Sequence, residues 1–150
     1  MVEELTPADR ALAAQGLHCG IVIDERKLDF ERGDFLIRGV IGADREAGAV
    51  AIGEAVAVGA TVQFQVRDAV TAHEDLQELL AGRAATGALV FTCNGRGVHL
   101  FAEPHHDATM VSDVLGTRAV GGMFCAGELG PVGGRNQVHG FTASIALFGD

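Results

Sequence analysis

FTCNGRGVHLF at residues 91–101 and GGMFCAGELGPVGGRNQVHGFTASIALF at residues 121–148 decide how this chain is read. Each joins an apolar, strand-like run to a glycine-dense polar turn. Residues 88–93 are continuously apolar, the pattern of a strand covered on both faces. Asn94-Gly95-Arg96-Gly97 predicts a hairpin turn, with the chain returning as a strand through residues 98–101. Residues 119–125 and 141–148 read as two more strands, the last internal or well paired. Cys93, Asn94, Gly95, Arg96, Gly97, Cys125, Glu128, Asn136 and His139 gather in or beside these turns. A core does not need Arg, Glu and His at such a density of glycine, whereas a site that brings backbone close to a ligand does.

Working outward, Thr6-Pro7 is a helix start, a hydroxyl cap followed by Pro at the first helical position. That helix covers residues 8–15 and stops at Gly16. Residues 17–24, 35–41 and 49–52 read as strands, and the charged stretch 25–33 as a loop. Val62, Phe64 and Val66 alternate with Gln63, Gln65 and Arg67, the period of a half-buried antiparallel strand. Thr71 and Glu74 have capping-box spacing and predict a helix that carries Ala72, Leu76, Leu79 and Leu80. A further helix is predicted over residues 107–115, with Ala108, Val111 and Leu115 on one face. The fold class is α+β, a single layered domain with a mainly antiparallel sheet and two or three packed helices. Residues 1–16 are set apart as an N-terminal helix or extension, and residues 17–150 as the domain.

At 150 residues, 48% of them hydrophobic, the chain is long enough for one domain with a buried core. Its net charge of −9 argues against nucleic acid and anionic membrane surfaces as partners. No apolar run approaches the roughly 18 residues of a membrane span. Glu3, Glu4 and Asp9 stand where a signal peptide would be apolar, so none is read. Three widely spaced cysteines suit reduced thiols in a cytoplasm. Trp and Tyr are absent, so stacking platforms for bases or sugars are scarce.

The CNGRG turn can bind an anion: its glycines let consecutive N–H groups converge, and Arg96 adds a bidentate donor. The plainer alternative is a hairpin with Arg96 in solvent. Glu128 can receive an ammonium group, pair with Arg96, or simply be a solvated loop carboxylate. Asn136 can bridge the glycine turn, and His139 can donate to Glu128 or to a ligand. Cys93 or Cys125 with His139 can form a nucleophile–base pair, although both thiols end apolar strands. A metal site is not read, because there is no C-x-x-C and the adjacent His105 and His106 diverge. Arg38 and Arg67, each one residue off an apolar strand face, can line a pocket.

FLIRGVIG (35–42), VQFQVRDA (62–69) with EDL (74–76), FTCNGRG (91–97), GELGP (127–131), NQVHGFT (136–142) and ALF (146–148) together resemble the C-terminal module of the FIST sensory family. The resemblance implies a small-ligand-sensing, signal-transduction domain, with amino acids as a ligand class. It implies as partner a preceding FIST N-terminal module or a signalling protein, and, without that module's cover, a homo-oligomer. Arg38, Cys93, Asn94, Arg96, Glu128, Asn136 and His139 fall in the family's blocks. The resulting reading is a cytoplasmic binding module rather than an enzyme, with Arg96 and the turn amides on a carboxylate and Glu128 on an ammonium group. The alternatives are a haem-binding nitric-oxide sensor, with His18, His99 or His139 as axial ligand, and a cysteine-dependent enzyme.

Overall fold

Thr6 begins the first helix as the sequence predicts. Its side chain accepts from the Asp9 amide at 3.2 Å, Pro7 takes the first helical position, and α1 (Pro7–Gln15) ends at Gly16. The computed structural model describes residues 5–149, so residues 1–4 of the N-terminal segment, with Glu3 and Glu4, lie outside the described residues. Among the described residues, four α-helices and nine strands follow an α+β order, as expected. The strands divide over three sheets of four, three and two strands. The chain likewise divides into two units, residues through 67 with 132–134, and residues 68–131 with those from 135 onward.

The first unit holds a four-stranded antiparallel sheet in the order β3-β2-β1-β4. Its strands are β1 (His18–Val22), β2 (Phe35–Asp44), β3 (Ala49–Ile52) and β4 (Val62–Gln65). β1 sits at the centre, Cys19 opposite Arg38 on one side and Phe64 on the other. Cys19 and Val22 are buried there, and burial raises the Cys19 thiol pKa. Gly20 is closely packed by neighbouring side chains. A Cβ there would lie 2.7 Å from the Gln65 amide nitrogen and 3.0 Å from Phe35. The β2–β3 turn is made by Asp44, whose carboxylate accepts from the Glu46 and Ala47 amides.

The second unit is built on β5 (Gly87–Cys93), flanked by β6 (Val120–Cys125) in parallel and β9 (Ala143–Phe148) in antiparallel. Ala88, Val90 and Thr92 are the buried face of β5. Ala88 and Val90 join Leu76 and Leu80 from α2 (Ala69–Leu80) and Met110 and Val111 from α4 (His106–Leu115) in one core. Burying a side chain such as Leu80 or Val111 is worth roughly 1.5–3 kcal/mol. The capping expectation shifts by one turn. Asp68, not Thr71, is the N-cap of α2, and its carboxylate accepts from the Thr71 amide at 2.8 Å. Thr71 lies inside the helix because Asp68 is the stronger cap and comes first.

Two local expectations are overturned. Asn94–Arg96 is a single 3-10 turn rather than a hairpin, and Val98–Phe101 is a one-turn helix, α3, rather than a returning strand. Arg96 is anchored inward, so the chain continues toward α4 and β5 finds its next neighbour in β6. Residues 127–139, read as bends before the last strand, are a hairpin of β7 (Glu128–Val132) and β8 (Arg135–His139). Gly133 and Gly134 connect them at φ 57° and 77°, the left-handed pair that a two-residue hairpin loop requires.

Candidate functional site

The 3-10 turn at the end of β5 aims Arg96 inward. The residue is only 7% exposed, and its guanidinium grips Asp107 at the start of α4 with two bonds. Nε donates to Oδ2 at 2.8 Å and Nη2 to Oδ1 at 2.9 Å. Longer bonds at 3.4 Å reach the carbonyls of Phe141 and Ala72, and the guanidinium lies over the Phe101 ring. Asp107 also accepts from the Thr92 hydroxyl at 2.5 Å and meets His106 Nδ1 at 3.0 Å. Burial pushes the Asp107 carboxyl up, but bonds from Arg96, Thr92 and His106 and the charge of Arg96 outweigh it and hold its pKa low. His106 stacks flat on Phe101, and its Nε2 lies 2.9 Å from Nδ1 of His73 on α2.

Beside this network lies a cavity of about 420 Å³, within the range of small-molecule sites. Its floor is the face of β5 and β6 that carries Val90, Thr92, Val120 and Phe124, with Gly122 bare between them. A Cβ at Gly122 would lie 1.8 Å from the Val90 carbonyl oxygen, so only glycine fits. Gly97, Val98 and the segment from Glu103 into the first turn of α4 form the rim, with Arg96 and Asp107 at the polar end. His105 in that rim segment is left-handed at φ 61°, as is Ala102 just before it at φ 57°. Each such conformation costs on the order of 1–3 kcal/mol and tends to be kept where function requires it. The cavity flanks the carboxyl ends of parallel strands, where open α/β sheets usually bind ligands.

The residues singled out from sequence fall in different places. Arg38 is in the first unit, where its guanidinium donates to Glu54 at 3.0 and 3.2 Å. Arg96 and Gly97 line the cavity. Gly95 lies under the Phe141 ring, 2.6 Å from where its Cβ would stand. Asn94 is exposed, and its carbonyl accepts from the Gly97 amide. Cys93 and Cys125 are register partners at the ends of β5 and β6, Cys93 buried and Cys125 half-buried. Glu128 is 7% exposed. It does not pair with Arg96. Its Oε2 accepts from Thr142 at 2.5 Å, and Oε1 is buried without a hydrogen-bond partner among the described residues. Asn136 is exposed on β8, and His139 Nε2 meets the Gly130 carbonyl at 3.1 Å rather than Glu128.

Of the three histidines named for haem, His18 has both ring nitrogens engaged, by the Gly16 carbonyl and by Arg67 Nε. His99 is exposed on α3. The histidines at the cavity are instead His105 and His106. No group of three metal-ligating side chains is found among the described residues. Sequence reasoning missed Thr92, Asp107, His106 and His73. The signal for Asp107 was its position beside a helix start, eleven residues after an arginine that the fold turns inward.

The chain matches the FIST C domain over residues 1–131. It belongs to the FIST C-domain family. FIST C domains are sensory, signal-transduction domains. The match takes in the segment before Leu17 that the sequence reading sets apart, and it stops short of Asn136 and His139. The chain is 52% identical to the uncharacterized protein Mb0898c of Mycobacterium bovis over all of its own length and 40% of that protein's. It is also 52% identical to the uncharacterized protein Rv0628c of Mycobacterium tuberculosis, over 97% of its own length and 40% of that protein's. This FIST C chain thus spans about 40% of the length of those relatives. No solved structure matches it.

Proposed function

We propose that this FIST C chain is a small-ligand-binding sensory module whose ligand sits in the cavity over β5 and β6. It would act in the cytoplasm together with a FIST N-terminal module or a signalling protein. The cavity carries the reading. It is lined by Arg96 and Gly97 from the CNGRG block and by His105, a left-handed non-glycine residue. Output would follow from α4, whose first residues, His106 and Asp107, line the same cavity.

The amino-acid version of this reading places Arg96 and the turn amides on a carboxylate and Glu128 on an ammonium group. Glu128 keeps a buried carboxylate oxygen without a hydrogen-bond partner among the described residues, but it does not line the cavity and so does not support its half. Arg96 does not favour the other half. A ligand carboxylate would have to displace Asp107 from a bidentate buried pair. Stranding a buried charge costs about 3–5 kcal/mol.

The test is native mass spectrometry of the purified protein against its denatured mass, followed by thermal-shift screening with amino acids and with uncharged ring compounds. A non-covalent mass increment, or a saturable rise in melting temperature, is the expected result. A bare protein that no small molecule stabilises would overturn the reading.

A further inference from the structure

We infer that the cavity over β5 and β6 selects an uncharged ligand with an apolar ring or branched chain, an inference that rests on the ligand-binding reading above. The walls point to this class. Val90, Val98, Val120, Met123 and Phe124 supply apolar surface, and Gly122 leaves the floor bare. Val98, Met123 and Phe124 are 53%, 63% and 51% exposed, large apolar side chains left open at one place. Burial of a ligand's apolar surface against them is the available driving force.

The buried charged groups at the cavity, Arg96 and Asp107, are already matched to each other, and Glu103 stands apart on the exposed rim. Arg96 and Asp107 form a closed pair, and the Asp107 oxygens also take the Thr92 hydroxyl and His106 Nδ1. A carboxylate that takes Arg96 strands Asp107, and an ammonium group that takes Asp107 strands Arg96, while Glu103 on the exposed rim offers a cation only a solvent-screened partner. Either exchange weakens binding by roughly a hundredfold or more relative to a ligand that leaves the pair intact. An uncharged ring avoids that exchange. A single hydroxyl or N–H on it can bond to the outer backbone edge of β6, which has no strand neighbour among the described residues. Glu128 does not line this cavity, so its bare oxygen does not bear on the choice.

Met123 gives a direct probe. The protein would be labelled at its methionine ε-methyl carbons and titrated with indole and benzyl alcohol, then with benzoate, benzylammonium and L-leucine. Indole and benzyl alcohol should shift the Met123 signal saturably and leave Met110, which does not line this cavity, in place. The charged compounds should bind at least about tenfold more weakly. Val98→Trp, at a half-exposed rim position, should weaken indole binding at least about tenfold; Phe124→Ser is the second variant should the first fail to fold. Benzoate or leucine binding as tightly as indole at Met123 would overturn the uncharged class while leaving the ligand-binding reading in place. No shift of Met123 with any probe at millimolar concentration would overturn both.

Discussion

The two units bury their side chains to different depths. In the first, the sheet has one well-covered strand, β1, while Ile41 on β2 and Val50 on β3 stay 73% and 46% exposed. In the second, helices lie on one face of β5, and Leu80 and Val111 are at 1% and 0% exposure. Their ion pairs follow suit. Arg38–Glu54 is 12% and 36% exposed, whereas Arg96–Asp107 is 7% and 3% exposed. Similar strand-forming sequence therefore gives a rigid, charge-containing core only where helices cover it. The candidate ligand cavity lies in that half.

Breaking the buried pair should give the largest effect. Asp107→Asn removes the charge that Arg96 requires and should cost about 3–5 kcal/mol in urea unfolding. Glu54→Gln in the first unit should cost less than about 1 kcal/mol, as exposed pairs do. Equal losses would erase the contrast between the units.

Glycines sharpen it next. Gly122→Ala drives a Cβ into the Val90 carbonyl and should destabilise by about 1–3 kcal/mol or more. Gly39→Ala on β2 meets nothing within 4 Å and should stay within about 0.5 kcal/mol of the parent. Thermal unfolding of the two variants side by side decides this.

Acid should reach the two units at different pH. Burial, then the charge of Arg67, lower the His18 pKa, against a bond to the Gly16 carbonyl that raises it. Folding thus favours neutral His18, and that stability is full above about pH 6.5 and declines as the pH falls below it. The Asp107 pKa is lowered, so its stability holds until the pH falls below about 3.9. Amide exchange followed by NMR should show β1 loosening at a higher pH than β5. Simultaneous loss would contradict this order.

The smallest effect separates the two caps of α2. Asp68→Ala should cost about 1 kcal/mol, and Thr71→Ala clearly less, in the same thermal assay. A larger loss at Thr71 would restore the capping box that the sequence suggested.

Much of the frame was legible from local pattern. Thr6-Pro7 marks α1, the alternation from Val62 marks β4, and the apolar run ending at Cys93 marks β5. The family blocks point to the CNGRG turn, whose Arg96 and Gly97 line the cavity. What was not legible is long-range. Asn-Gly favours a hairpin locally, but the Arg96 side chain finds Asp107 eleven residues on, and that pairing redirects the backbone into α3 and α4. The β7–β8 hairpin had a local sign, Gly133-Gly134 between alternating residues, but two nearer glycine turns obscured it. Asp107 itself sits in a run of His and Asp that looks like an ordinary polar helix start.

The most direct test is hydrogen exchange at the Arg96 Nε–H, measured by NMR on nitrogen-labelled protein. With Arg96 committed to Asp107, that proton should be visible, slowly exchanging at neutral pH, and unmoved by leucine or acetate. Rapid exchange like that of a surface arginine, or a shift on adding a carboxylate, would show Arg96 open to ligands and contradict the account.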